Sequence, residues 1–234
     1  NVTVIRSDTL EVMEGQFNGR ELEVVSTLEG VASTDNGSSA VQGNAEAVNS
    51  GDAFFSTEFD NADNWYMVTV PETDNYEAYT EDGRLYIEAM SRQSTVLSFY
   101  DLNIVNPDVR IDAAVETVGG PNNNNISLAC RGTEEGWYEF SMNSGGYWFI
   151  WKYEGGEYEK LADGASYAIN LQKESNTITA TCIGRELSFY VNGTRMGSVM
   201  DNSFRDGGQV GVSVSTFDVA GAAVEFDWLS ATVP

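Results

Sequence analysis

From Ala53 to Ser230 the chain is a succession of short segments in which apolar and polar residues alternate, with Gly, Asn and Asp between them. No apolar period of about 3.6 residues persists anywhere in that span, so no amphipathic helix is available to cover a sheet. The segments AFFSTEF, WYMVTV, RLYIEAM, TVLSFY, VRIDAAVETV, ISLACR, GWYEFSM, YWFIWKY, YEKL, TITATCI, ELSFYV, RMGSVM, QVGVSVSTF and AAVEFDWLS read as strands. Many short strands separated by turns, with no helices between them, predict an all-β fold of two antiparallel sheets. The clearest local signal lies between Arg185 and Val199. There Leu187, Phe189 and Val191 alternate with polar residues and run into Asn192-Gly193, the pair that best tolerates the two positive φ angles of a type I′ hairpin turn.

The 234 residues divide into three parts. Residues 1–29 hold the alternating runs NVTVIR, TLEVME and ELEVVSTL, an N-terminal strand-forming extension. Residues 30–52 are small and polar and contain no aromatic side chain, the composition of a flexible linker or long loop. Residues 53–234 form the sandwich. The extension is too short to bury a core of its own, yet Val2, Val4, Ile5, Leu10, Val12, Leu22 and Val24 are costly to leave in water. A linker of that length reaches about 26 Å as a flexible coil. The expectation is that these residues add as a strand to a sandwich edge in a neighbouring subunit, chaining identical copies into a homo-oligomer or polymer.

A formal net charge of −24 repels nucleic acid and anionic lipid, and favours cationic partners, divalent ions included. The chain has no histidine, which removes Ser-His-Asp and Cys-His catalysis and His-ligated zinc together. No apolar run approaches the roughly 18 residues of a membrane span, so membrane insertion is not expected. A first residue of Asn1 rather than Met fits a processed, secreted chain. Cys130 shares a strand face with Ile126 and Leu128, and Cys182 with Ile178 and Ala180, so both sulfurs should point into the core. A disulfide across neighbouring strands is predicted, stabilising by about 4 kcal/mol in the chain-entropy model, with a pair of buried free thiols as the alternative. Asn1, Asn36, Asn125 and Asn192 each open an Asn-x-Ser/Thr sequon available to N-glycosylation.

Residues 53–234 resemble the concanavalin A-like, laminin-G-like jelly rolls of extracellular bacterial proteins. FFSTEFDNADNW looks like the opening Phe-Asp-Trp segment, DGRLYIEA like the strand after it, and ACRGTEEGWYEFSMNSGGYWFIWKYEGGEYEKL like the central strands. NTITATCIGRELSFYVNGTRMGSVMD, GGQVGVSVSTF and VEFDWLSATV are similar to the closing strands. The resemblance implies a jelly-roll sandwich and a secreted or cell-surface location, and it implies no single function. It also implies Ca²⁺ between the opening segment and the last strand, held by Glu58, Asp60 and Asp227, although neither DNADN nor TDNYEAYTEDG has EF-hand spacing.

Glycosidases on this jelly roll resemble one another through a Glu-x-Asp-x-Glu strand, which sets three carboxylates on one face. In VEFDWLS, Glu225 and Asp227 share a face but Leu229 stands where the third carboxylate belongs, so a non-catalytic protein is expected and a glycoside hydrolase is the remote alternative. Glycan binding needs exposed aromatic faces, which Trp137, Tyr138, Trp148, Trp151, Tyr153 and Tyr158 supply in kind. Alternation puts Tyr147, Phe149, Trp151 and Tyr153 on one face and Trp148 with Ile150 on the other. The same aromatics also suit contact with a neighbouring subunit. The leading expectation is a secreted structural subunit that self-assembles by strand exchange into an extracellular filament or layer, with a lectin-like module as the alternative.

Overall fold

The structure is a computed structural model that describes residues 2–6, 11–17, 22–28, 53–60, 64–102 and 108–234. These contain strands and no helix, and so no helix long and apolar enough to cross a membrane. Val2–Arg6 (β1), Glu11–Phe17 (β2) and Leu22–Leu28 (β3) pair antiparallel in that order as a three-stranded sheet. Within the chain the N-terminal strands pair with one another, and among the described residues none pairs with a strand of the sandwich. Among the described residues the outer edges of β1 and β3 have no strand partner, so this sheet keeps two edges to which a strand could add. Leu10 and the linker lie outside the described residues.

The sandwich begins at Ala53–Thr57 (β4) and continues through Trp65–Val70 (β5), Tyr76–Glu81 (β6), Arg84–Ala89 (β7), Thr95–Asp101 (β8) and Val109–Gly119 (β9). Asn125–Gly132 (β10), Gly136–Asn143 (β11), Tyr147–Glu154 (β12) and Glu157–Ala165 (β13) follow. Asn176–Ile183 (β14), Glu186–Val191 (β15), Thr194–Met200 (β16), Gln209–Ser215 (β17) and Ala222–Thr232 (β18) complete it. One sheet has the order β13-β12-β11-β10-β17-β8-β5, the other β16-β15-β14-β9-β18-β7-β6. The eleven residues of β18 are long enough to serve two partners on one edge: Ala222–Phe226 pair with β7 and Leu229–Thr232 with β4.

Alternation builds the core. Ile126, Leu128, Phe140 and Val212 from the first sheet meet Ile87, Val115, Phe189 and Phe226 from the second, each at most 1% exposed. The strand missed in sequence is β6, YEAYTE. Its inner positions Tyr76, Ala78 and Thr80 are only half-buried, so an edge strand with acids at two of its three outer positions, Glu77 and Glu81, looks like an acidic loop. The Asn192-Gly193 turn is as expected, with φ of 51° and 76°.

Cys130 and Cys182 are joined and wholly buried. Their strands are not sheet neighbours: β10 belongs to the seven-stranded sheet and β14 to the other, with Cα atoms 6.9 Å apart across the core. Alternation aims both sulfurs inward without saying from which layer, so the bridge ties layers rather than strands. Buried Arg131 adds a second tie beside it, donating to the carbonyls of Gly184 (2.9 Å) and Cys182 (3.2 Å) and to Asp108 (3.2 Å).

Candidate functional site

The face of the seven-stranded sheet turned away from the core carries an unusual row of small polar side chains. Pairing across β11, β10 and β17 aligns Ser141, Ser127 and Ser213, and the next row aligns Asn143, Asn125, Ser215 and, on β8, Thr95. The hydroxyls of Ser127 and Ser141 are 2.8 Å apart and those of Thr95 and Ser215 are 2.9 Å apart. Of these, Ser141, Asn125, Ser215 and Thr95 make a low polar floor that lines a cleft, while Ser127 and Ser213 are fully buried behind it.

Glu139 projects from this floor on β11. Trp137 Nε1 and the Tyr158 hydroxyl donate to its Oε1 at 2.7 and 2.6 Å, and the Ser213 hydroxyl donates to Oε2 at 3.0 Å. Burial pushes the Glu139 carboxyl above the usual carboxylate range, a rise only partly opposed by the donors from Tyr158, Trp137, Ser213 and Ser127. Tyr158 is pushed up in turn, by burial and by the Glu139 charge beside it. The wall on this side is aromatic. Trp137 stacks on Tyr153 at 4.1 Å, Tyr153 lies 4.9 Å from Tyr158, and Trp151 meets Tyr158 edge-on at 6.3 Å. Val70, Pro71 and the partly exposed Phe217 form the opposite wall.

Between the walls lies an open cleft of about 340 Å³, within the range of small-molecule sites. Two buried oxygens on its lining, Asn125 Oδ1 and Ser94 Oγ, have no hydrogen-bond partner among the described residues, although their residues are 3% and 2% exposed. Polar atoms left unpaired in this way are costly unless a ligand or water satisfies them.

Of the aromatics singled out in sequence, Trp137, Trp151, Tyr153 and Tyr158 come together here, although Trp137 is itself buried beneath the wall. Tyr138 and Trp148 do not. Both point into the core, because alternation places them with Phe140 and Ile150. Trp148 fills a slot left by Gly164 and Gly197, where an added Cβ would approach its ring to 2.8 and 2.5 Å. Tyr138 donates to Asp201 and accepts from the Ser203 N–H at 2.9 Å. Burial and that carboxylate push its phenol up to about 12.

The calcium set is not assembled. Asp227 lies 3.6 Å from the Arg84 guanidinium, which also reaches Glu225 (3.0 Å) and Glu116 (3.5 Å), so Asp227 serves as an ion-pair partner. Glu58 and Asp60 are exposed, and among the described residues no group of three acidic, Cys or His residues gathers to hold a metal ion. The sequons change meaning too. Asn125 is buried in the floor of the cleft. Asn192 accepts from the Thr177 N–H (2.9 Å) and donates to Asn176 and to the Ala168 carbonyl (both 2.8 Å), bonds that a glycan on its amide would disrupt. Asn1 and Asn36 lie outside the described residues.

Sequence reasoning missed Glu139 and the serine floor. The available signal was polar residues at every second position of three apolar strands: Glu139 and Ser141 in GWYEFSM, Ser213 and Ser215 in QVGVSVS, and Asn125 and Ser127 in NISLACRG.

No protein-family model matches the sequence, and no curated protein matches it by sequence. Solved structures do match the fold. The carbohydrate-binding module CBM66 from Bacillus subtilis is 17% identical, with a TM-score of 0.53 over 70% of this chain and 92% of that one. A Bacillus subtilis protein of unknown function with a galectin-like fold is 12% identical, with a TM-score of 0.60 over 79% and 97%. The catalytic domain of an endo-1,3-beta-glucanase (laminarinase) from Thermotoga petrophila RKU-1 is also 12% identical, with a TM-score of 0.57 over 79% and 98%. At such identities the likeness is one of architecture: this chain is an antiparallel jelly-roll β-sandwich of the kind seen in galectin-like, carbohydrate-binding and glucanase domains.

Proposed function

We propose that the chain is a carbohydrate-binding protein that holds a glycan in the cleft over Glu139 and does not hydrolyse it. The observation that carries this reading is the pairing of unsatisfied buried acceptors with an aromatic wall. Asn125 Oδ1 and Ser94 Oγ await hydroxyl donors, and Trp151 offers the flat apolar surface on which the C–H face of a sugar ring packs. Carbohydrate-binding and glucanase domains among the similar structures support the same reading.

Hydrolysis needs a second carboxyl group, about 5–5.5 Å away for retention or about 6.5–9.5 Å for inversion. Among the described residues lining the cleft Glu139 is the single carboxylate, and its oxygens are already occupied by three donors. That arrangement suits positioning better than proton transfer. Carbohydrate-binding and glycoside hydrolase domains among the similar structures favour this reading over the self-assembling subunit expected from sequence. The buried disulfide supports an oxidising, extracellular setting.

The test is calorimetric titration against a panel of soluble polysaccharides. Trp151→Ala should weaken binding at least about tenfold, the equivalent of about 1.4 kcal/mol. Tyr147→Ala, on the same strand face but outside the cleft lining, should leave affinity unchanged. A Trp151→Ala protein that binds as the wild type does would remove this cleft from consideration.

A further inference from the structure

The chemistry of the cleft lining bears on which glycans it takes. Among the described lining residues there is no lysine or arginine. The polar groups are hydroxyls, the amides of Gln93 and Asn125, and one carboxyl. Basic residues near in sequence do not supply the missing charge: Arg92 is an exposed neighbour of Gln93 outside the lining, and Lys160, beyond Tyr158 on β13, is ion-paired to Asp163 at 3.0 Å. The unpartnered atoms, Asn125 Oδ1 and Ser94 Oγ, are oxygens, one an obligate acceptor and the other able to donate or accept. An anionic substituent would be desolvated here beside Glu139 with no cation to pair with.

Resting on the carbohydrate reading, we infer that the cleft selects uncharged glycans and rejects those carrying uronate or sulfate groups. Sugar hydroxyls donate to Asn125 and Ser94, whereas an acidic group would lie beside the Glu139 carboxyl with no lysine or arginine among the described lining residues to pair with. The overall charge of −24 repels an acidic polymer at long range as well, but that field is screened by salt whereas contact inside the cleft is screened much less.

The experiment uses the full chain and polymer pairs that share a backbone: hydroxyethyl-cellulose with carboxymethyl-cellulose, dextran with dextran sulfate, and laminarin with carboxymethylated laminarin. Titrations run at low salt and at about 1 M salt, where the screening length is about 3 Å. The neutral member should bind at least about tenfold more tightly than its acidic partner, and the gap should persist at high salt. Glu139→Gln, which keeps an acceptor for Trp137 and Tyr158, should narrow the gap. Gln93→Lys, at an exposed position whose side chain lines the rim, should narrow it independently of any effect on the buried network. Equal wild-type binding of both members of a pair, or a gap that neither variant narrows, overturns the inference and leaves the carbohydrate reading standing. Failure of every neutral polymer to bind overturns both.

Discussion

Glu139 and Asp201 are both carboxyls that accept from a tyrosine, and their surroundings push them in opposite directions. Glu139 is raised, because burial outweighs its donors. Asp201 is also pushed up by partial burial, but Tyr138, the Ser203 backbone and hydroxyl, and Lys152 together bring it below its ordinary value. The signs of the resulting pH effects differ. A raised acid holds its proton more tightly folded than unfolded, so its contribution to stability is present below the unfolded pKa and is lost as pH rises through the folded one. A lowered acid contributes above the unfolded pKa and loses that contribution as pH falls through the folded one. Thermal melts from about pH 3 to pH 8 should therefore show wild type losing ground to Glu139→Gln as pH rises from the ordinary carboxylate range to the raised value, then running level. Wild type should lead Asp201→Asn most at neutral pH and lose that lead in acid. Offsets that do not vary with pH would mean that neither carboxyl is perturbed as its surroundings require.

At the scale of elements, the β15–β16 hairpin shows how one short sequence signal carries more than a turn. Asn192 and Gly193 meet the φ requirement, and the Asn192 side chain also fastens the turn to Thr177, Asn176 and the Ala168 carbonyl. Replacing the pair with Val-Val should cost about 3 kcal/mol or more from strain and lost bonds together. Asn192→Gly keeps the backbone geometry and removes only the side-chain bonds, so urea denaturation should place its loss near 1 kcal/mol. Equal losses for the two variants would mean that the turn geometry contributes nothing. Such local features were legible because alternation and turn chemistry act within a few residues. It was legible that Trp151 and Tyr153 face away from Trp148, and that both cysteines face inward. What alternation cannot supply is the partner across the sandwich or across a sheet. The inter-sheet disulfide, the alignment of Ser141, Ser127 and Ser213, and the reach of Tyr158 from β13 to Glu139 on β11 all join residues distant in sequence. Edge strand β6 escaped for a different reason, since an edge buries too little for its pattern to stand out.

For the whole molecule, the described core runs from Phe59 to Ala231 and the described cleft lining from Val70 to Phe217, both within the sandwich. β1, β2 and β3 pair with one another and, among the described residues, with no strand of either sandwich sheet. Deleting residues 1–52 should therefore leave a single cooperative unfolding transition, because the buried apolar contacts that make a domain unfold as one unit remain. The midpoint should shift by less than the roughly 2–4 °C that a loss of 1 kcal/mol produces in a domain of this size. Affinity for the glycan identified in the polysaccharide panel should also be unchanged, since every described lining residue is retained. A large fall in the midpoint would show that the N-terminal strands complete the sandwich. A fall in affinity with an unchanged midpoint would place them over the cleft instead. Disappearance of a larger solution species on deletion, read by light scattering, would return them to the assembly role that their alternating pattern first suggested.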